Sequence, residues 1–128
     1  YKNLQTIPAI GKDTAAILLR HLTDNTFETA NQFVSFAGLS PKIEQSGSSV
    51  NKKGRLSRYG HRQLKRALFM PALVAYRINA FPQLVKNLEA AKKPKMVIIV
   101  ALMRKLAKIA YYIHRTQKPF DKARHQTV

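Results

Sequence analysis

The sequence predicts an all-α fold, a compact bundle of five or six helices, and three observations carry that reading. Apolar residues recur at helical spacing over 60–79 and again over 95–115. No segment alternates convincingly as a strand does, and the β-branched run at 97–100 sits inside a stretch of helical length. At 128 residues and 45% hydrophobic composition, the chain is long enough for one domain with a real core and too short for two.

Each element follows from its own residues. Residues 4–22 run from a tight turn, punctuated by Pro8 and Gly11, into a helix. Asp13 suits its first turn, where a carboxylate meets the positive end of the helix dipole, and 15–22 is apolar and helix-favouring. A short loop at 23–26 leads to a second helix over 29–37, which Gly38 at the C′ position and Pro41 beyond it should stop. Residues 42–59 are rich in serine, lysine and glycine and read as a long basic loop. A long helix follows over 60–79, with Leu64, Ala67, Leu68, Pro71, Ala75 and Ile78 at its apolar positions. Pro71 lies inside it and is expected to kink it, because proline lacks the N–H and crowds the preceding turn. Residues 81–95 give a short helix and a basic turn. Residues 95–115 form the most hydrophobic helix, with Arg104, Lys105 and Lys108 on the face left polar. The tail over 118–128 is basic and expected to fray. The whole of 1–128 therefore reads as a single domain with its helical core at 60–115.

Charge narrows the function. The chain holds 23 basic and 6 acidic residues, a net +17. Residues 1–46 are balanced, with Lys2, Lys12, Arg20 and Lys42 against Asp13, Asp24, Glu28 and Glu44, so 47–128 carries the entire excess. Such concentration predicts a polyanionic partner, since every neutralised phosphate releases counterions. Nucleic acid fits better than an anionic membrane surface, because the cations are not confined to one amphipathic helix. The longest apolar run, 96–103, falls well short of the roughly 20 residues that span a bilayer. The absence of cysteine excludes disulfides and thiolate metal sites and fits a reducing cytosol. The chain opens at Tyr1, within what reads as structured sequence, so it is expected to belong to something longer.

Three stretches could carry chemistry. In "IPAIGKDTA" a tight turn feeds a helix near Lys12, which leaves backbone N–H groups and the positive dipole end available to a phosphate. The pattern resembles the hairpin of helix-hairpin-helix DNA-binding motifs, with Gly11, Lys12 and Thr14 as the contacts. Ala9 stands where many such hairpins have their first glycine. A plain αα-corner with a structural glycine is the alternative. In "RYGHRQLKR", Arg58, Arg62, Lys65 and Arg66 recur at i, i+4, i+7 and i+8, opposite Leu64 and Leu68. With Lys52, Lys53 and Arg55 before them, they would track a phosphate backbone. The third stretch is "QSGSS", where Ser46 precedes Gly47, a residue that lets the backbone approach a substrate closely, and a cluster of cations follows. By spacing alone it equally suits a flexible linker. The six carboxylates are scattered, so no two-metal site or glycosidase-like dyad is readable. His21, His61, His114 and His125 lack ligand spacing, and no metal site is assigned; His61 suits a helix start or a phosphate contact better than a base.

The ordered set "IPAIGKDTAAILL", "QFVSFAGLSPK", "QSG", "GRLSRYGHRQLKRALFMPALVA", "VIIVALMRKLAKIAYYI" and "KPFD" resembles one family over roughly residues 4–121. It is similar to the C-terminal domain of DEDD insertion-sequence transposases, relatives of Piv/MooV-type DNA invertases and known as bridge-RNA-guided recombinases. The resemblance implies a DNA transposase or site-specific recombinase in which Ser46, of Ser46-Gly47, attacks a DNA phosphate to form a 5′-phosphoserine link. It also implies an upstream RuvC-like domain, absent from this chain, holding a divalent metal (magnesium) on four carboxylates and acting in trans from another subunit. DNA, a guide (bridge) RNA and a homo-oligomer are the implied partners, and a bacterial or archaeal cytoplasm, at the nucleoid, the implied location. The fragment itself holds no cofactor and is expected to bind nucleic acid without cutting it. Two other readings remain open: a non-catalytic helix-hairpin-helix DNA- or RNA-binding module, and a basic ribosomal-type RNA-binding protein.

Overall fold

A computed structural model describes residues 1–39 and 47–121 of the chain, with 47–61 described through their backbone alone. The described residues form six α-helices and no strand. They are α1 (Lys2–Gln5), α2 (Lys12–Asp24), α3 (Ala30–Phe36), α4 (Gly47–Arg77), α5 (Pro82–Ala90) and α6 (Lys95–Thr116). The all-α expectation holds. The hydrophobic α6 is the central element and packs against each of the other five. Its Ile99, Leu102, Leu106 and Ile113 meet Leu4 and Ile7 near the N-terminus, Leu18 of α2, Phe33 of α3, and Leu64 and Leu68 of α4 in one buried cluster.

Helix ends follow local chemistry. Thr29 caps α3, its hydroxyl accepting from the Gln32 N–H at 3.2 Å, while Gln32 Oε1 accepts from the Glu28 N–H at 2.8 Å. At the other end Gly38 adopts φ 76°, Leu39 N–H reaches the Val34 carbonyl at 3.1 Å and Gly38 N–H the Ser35 carbonyl at 2.9 Å. That is a Schellman motif, and it places the predicted glycine stop where the left-handed conformation is needed. The same pair of bonds closes α4, with Asn79 at φ 57°, and α5, with Lys92 at φ 58°. Pro82 opens α5 at its first turn, where the missing N–H would have no helical partner anyway.

Several expectations are corrected. Residues 47–59 are the first turns of α4 rather than loop, so the basic loop expected over 42–59 is helical from Gly47 onward. Lysine, arginine and leucine are good helix formers, no proline intervenes before Pro71, and interior glycines such as Gly54 and Gly60 cost only about 1 kcal/mol each. Ile78, expected in the core, is 59% exposed because α4 ends at Arg77 and the left-handed Asn79 turns the chain away. Lys105 does not join the polar face of α6 but is only 7% exposed. It lies one helical repeat from buried Ala101 and Ile109 on either side, on the line that faces inward. The start of the tail is held: the Asn3 side-chain amide donates to the Gln117 carbonyl at 3.0 Å and the Phe120 N–H to Thr6 Oγ1 at 2.7 Å.

The helix α4 continues across Pro71, which is buried. Proline cannot supply the N–H that the carbonyl four residues earlier expects, and that carbonyl belongs to Ala67. The hydroxyl of Thr14, from α2, donates to it at 3.4 Å. A defect in one helix is thereby met by a side chain of another, and the two helices are registered at that point.

Candidate functional site

The site is built on α2 and the C-terminal half of α4. Two polar contacts fix their relation: Thr14 to Ala67, and His21 Nε2 with Gln63 Oε1 at 2.7 Å. Later residues of α2 thus meet earlier residues of α4, so the two run antiparallel, and the first turn of α2 lies alongside the turn that carries Arg66.

The N-terminus of α2 follows a turn of defined type. Ile10 N–H donates to the Ile7 carbonyl at 3.1 Å, with Pro8 second and Ala9 third at φ 71°. Proline at the second position and a positive φ at the third describe a type II turn, whose third position ordinarily holds glycine. Ile7 and Ile10 on either side are both buried, so the turn is clamped into the core and Ala9 is held in the left-handed region. Gly11, in contrast, sits at φ −92°, open to any residue, and a Cβ built on it would meet nothing within 4 Å. The fold therefore asks for glycine at position 9, where the chain has alanine, and does not ask for it at position 11. Gly11 is the N-cap of α2 and offers no side-chain cap, which leaves the first N–H groups of that helix open. Lys12 is exposed, and its carbonyl accepts from the Tyr1 hydroxyl at 3.5 Å.

On α4, Arg62, Lys65 and Arg66 are exposed while Leu64 and Leu68 are fully buried, so the helix divides into the cationic and apolar faces that spacing predicted. Among the described residues the one ion pair is Arg20–Asp24, at 4.0 Å within α2. None of the three α4 cations has a carboxylate or hydrogen-bond partner there, and their field is directed to solvent. The structure thus sets the first turn of α2 alongside the turn of α4 that carries Arg66 and leaves Gly11, Lys12, Arg62, Lys65 and Arg66 exposed, whereas the Thr14 side chain is turned onto Ala67. Ser46 lies outside the described residues. So do the side chains of Lys52, Lys53, Arg55, Arg58 and His61, whose backbone, like that of Gly47, belongs to α4. No group of three or more His, Cys, Asp or Glu residues that could hold a metal ion exists among the described residues. No helix among them is long and apolar enough to cross a membrane.

Spacing alone missed two features: the demand for a left-handed residue at Ala9, and the coupling of Thr14 to Pro71. The first had a signal, since a proline followed by a glycine-like position is the mark of a type II turn. The second had half a signal, the interior proline, but no feature of the sequence pointed to Thr14 as its complement.

Comparison with known proteins gives this arrangement its context. The chain is 43% identical over 126 residues to the pilin gene-inverting protein of Moraxella bovis, an alignment covering 96% of this chain and 39% of that protein. A second pilin gene-inverting protein, from Moraxella lacunata, is similar to the same extent, 43% over 126 residues with the same coverage of both chains. The insertion element IS110 uncharacterized 43.6 kDa protein of Streptomyces coelicolor is 42% identical over 80 residues, 62% of this chain and 19% of that one. The chain thus spans about two fifths of the length of the Moraxella relatives. Residues 1–86, which hold α1 to α4 and with them the whole α2–α4 pair, match a family description directly: the chain belongs to the Transposase IS116/IS110/IS902 family.

Proposed function

We propose that this chain is the serine-bearing, DNA-engaging domain of a transposase or site-specific recombinase. The family match over residues 1–86 carries the reading, and the cationic face of Arg62, Lys65 and Arg66 beside the open N-terminus of α2 supports it. Lysine and arginine on one face, with no carboxylate opposing them among the described residues, suit successive backbone phosphates. The N–H groups after Gly11, left without a side-chain cap, add a second kind of phosphate donor.

In the proposed chemistry the Ser46 hydroxyl oxygen attacks a DNA phosphorus. A Ser–O–P bond forms, the P–O3′ bond breaks, and the departing 3′ oxygen takes up the proton that the serine gives. The product is a 5′-phosphoserine link and a free 3′-hydroxyl. Because one phosphate ester replaces another, a 3′-hydroxyl from a second strand reverses the step and completes exchange without an added energy source. Gly47, next in sequence, is the first residue of α4, so Ser46 directly precedes a 31-residue helix whose positive end favours phosphate. A divalent metal such as magnesium would be held by carboxylates of a RuvC-like domain outside this chain, contributed in trans by another subunit of a homo-oligomer. A guide (bridge) RNA is a further proposed partner, and the bacterial or archaeal cytoplasm the proposed location. The 128-residue chain alone is then expected to bind DNA without cleaving it.

The test compares the full-length protein with its Ser46→Ala variant on target DNA, with denaturing trapping of covalent protein–DNA adducts. Loss of adduct and of recombination, with DNA binding retained, is expected. Unchanged adduct in the variant would remove Ser46 as the nucleophile. It would leave the alternative that the Ile7–Ile10 hairpin-type turn favours, a non-catalytic helix-hairpin-helix module.

A further inference from the structure

A second basic feature lies away from the α2–α4 face. A cavity of about 660 Å³ runs along α6 and is walled on its other sides by the start of α3 and by Leu84 of α5. Lys105 and Lys108 line it together with Leu84, Ile109 and Tyr112. Lys105 is buried, and its ammonium lies 6.0 Å from the centre of the Phe81 ring. Among the described residues the one ion pair is Arg20–Asp24, so no carboxylate pairs with it. A lysine held in this way is costly without an anion, because burial and the neighbouring Lys108 both disfavour its charge. At the mouth Tyr112 is 46% exposed. Its ring is braced edge-on by Tyr111 at 5.5 Å between centroids, and Tyr111 is itself fixed through its hydroxyl to the Phe27 carbonyl at 3.0 Å.

We infer that this cavity receives a nucleotide of an unpaired nucleic-acid strand, with Lys105 and Lys108 on its phosphate and Tyr112 against its base. The inference rests on the nucleic-acid reading above and assigns it a second, strand-selective contact. Three observations choose this occupant. The volume falls in the range that encloses a drug-sized ligand and exceeds what a bare phosphate would fill. The lining pairs cations with an apolar wall, Leu84 and Ile109, and a half-exposed aromatic ring, the combination that single-strand sites use. A duplex must give up unstacking and unpairing energy to present a base to a cavity, whereas an unpaired strand presents its bases without that cost.

The experiment measures binding of the 128-residue chain, by fluorescence anisotropy, to a labelled short oligothymidylate and to a duplex of the same length. Tyr112→Ala is expected to weaken single-strand binding about five- to hundred-fold, the usual loss for one stacked base, with duplex binding unchanged. Lys105→Met should lower the single-strand affinity and flatten its logarithmic salt dependence by about 0.7, again sparing the duplex. Because Tyr112 is at the surface, its variant keeps the test valid even if Lys105→Met does not fold. Arg62→Ala with Arg66→Ala provides the contrast, weakening duplex binding. The proposal is overturned if Tyr112→Ala keeps wild-type single-strand affinity, or loses duplex affinity to the same degree. It is also overturned if free thymidine monophosphate binds as tightly as the strand, which would make the cavity a mononucleotide site. A wild-type chain that binds neither probe removes the underlying nucleic-acid reading along with it.

Discussion

Replacing Thr14 by valine keeps the shape of the side chain and removes the hydroxyl that meets the Ala67 carbonyl. The cost follows from the geometry. At 3.4 Å the contact is long for a hydroxyl donor, and Ala67 is only half-buried. The loss should therefore lie in the lower part of the range for one hydrogen bond, about 0.5–1 kcal/mol. If the bond exists because Pro71 cannot supply an N–H, the cost must depend on that proline. In a Pro71→Ala background the restored N–H takes the Ala67 carbonyl, and Thr14→Val should then cost close to nothing. The coupling across the double-mutant cycle equals the single cost, about 0.5–1 kcal/mol, or roughly 2–5 °C in melting temperature for a domain of this size. Thermal and urea unfolding of the four proteins, followed by far-ultraviolet circular dichroism, measures it. A Thr14→Val penalty of the same size with and without Pro71 would refute the idea that Thr14 compensates the proline.

Further consequences follow from the left-handed positions and the buried lysine. Ala9→Gly should raise stability by up to about 1 kcal/mol, because φ 71° is unfavourable for alanine and natural for glycine; a clear loss in urea unfolding would contradict the turn assignment. Lys92→Gly, at an exposed Schellman position with φ 58°, should stabilise by a similar amount, whereas Gly38→Ala at φ 76° should cost about 1 kcal/mol. Equal effects of either sign at both positions in urea titrations would rule this out. Lys105→Met should stabilise at neutral pH by on the order of 1 kcal/mol, since methionine fills the site without a charge. The Lys105 ammonium titrates below its ordinary 10.5, chiefly through burial and then through Lys108. Below that lowered value both folded and unfolded states are protonated and the penalty is complete. As pH rises towards 10.5 the folded state sheds the proton first, wild type gains stability, and the advantage of Lys105→Met shrinks. A difference between the two proteins that stays constant with pH would show that Lys105 is not the titrating group.

Much of the architecture is legible in the sequence because local rules and packing agree there. The glycine stop at Gly38, the apolar stripe through Leu64 and Leu68, and the hydrophobic α6 are each dictated by one kind of information. The failures arise where two kinds compete. Residues 47–59 have the composition of a loop and the propensity of a helix, and the absence of proline decides for the helix. Lys105 has the chemistry of a surface residue and the phase of a core residue, and helical phase places it inside. Of the candidate site, the cationic face of α4 follows directly from spacing, since an amphipathic helix has only one side left for charge. The α2 hairpin is legible in outline, but Ala9 and Gly11 exchange the roles that their residue types suggest. That exchange depends on the φ angles that the buried Ile7 and Ile10 impose, which no single-residue preference encodes.

The two hydrogen bonds near the termini, Asn3 to Gln117 and Phe120 to Thr6, join residues 114 positions apart. In topological terms the described residues almost close a ring, with Phe120 beside the point where the chain enters the bundle. A polypeptide attached before residue 1 and the segment that follows residue 121 would therefore start from the same pole of the bundle. The ring could equally be opened elsewhere. The exposed turn at 91–94, between α5 and α6, is a place where new ends could form while a short linker joins the old ones, with every helix kept intact.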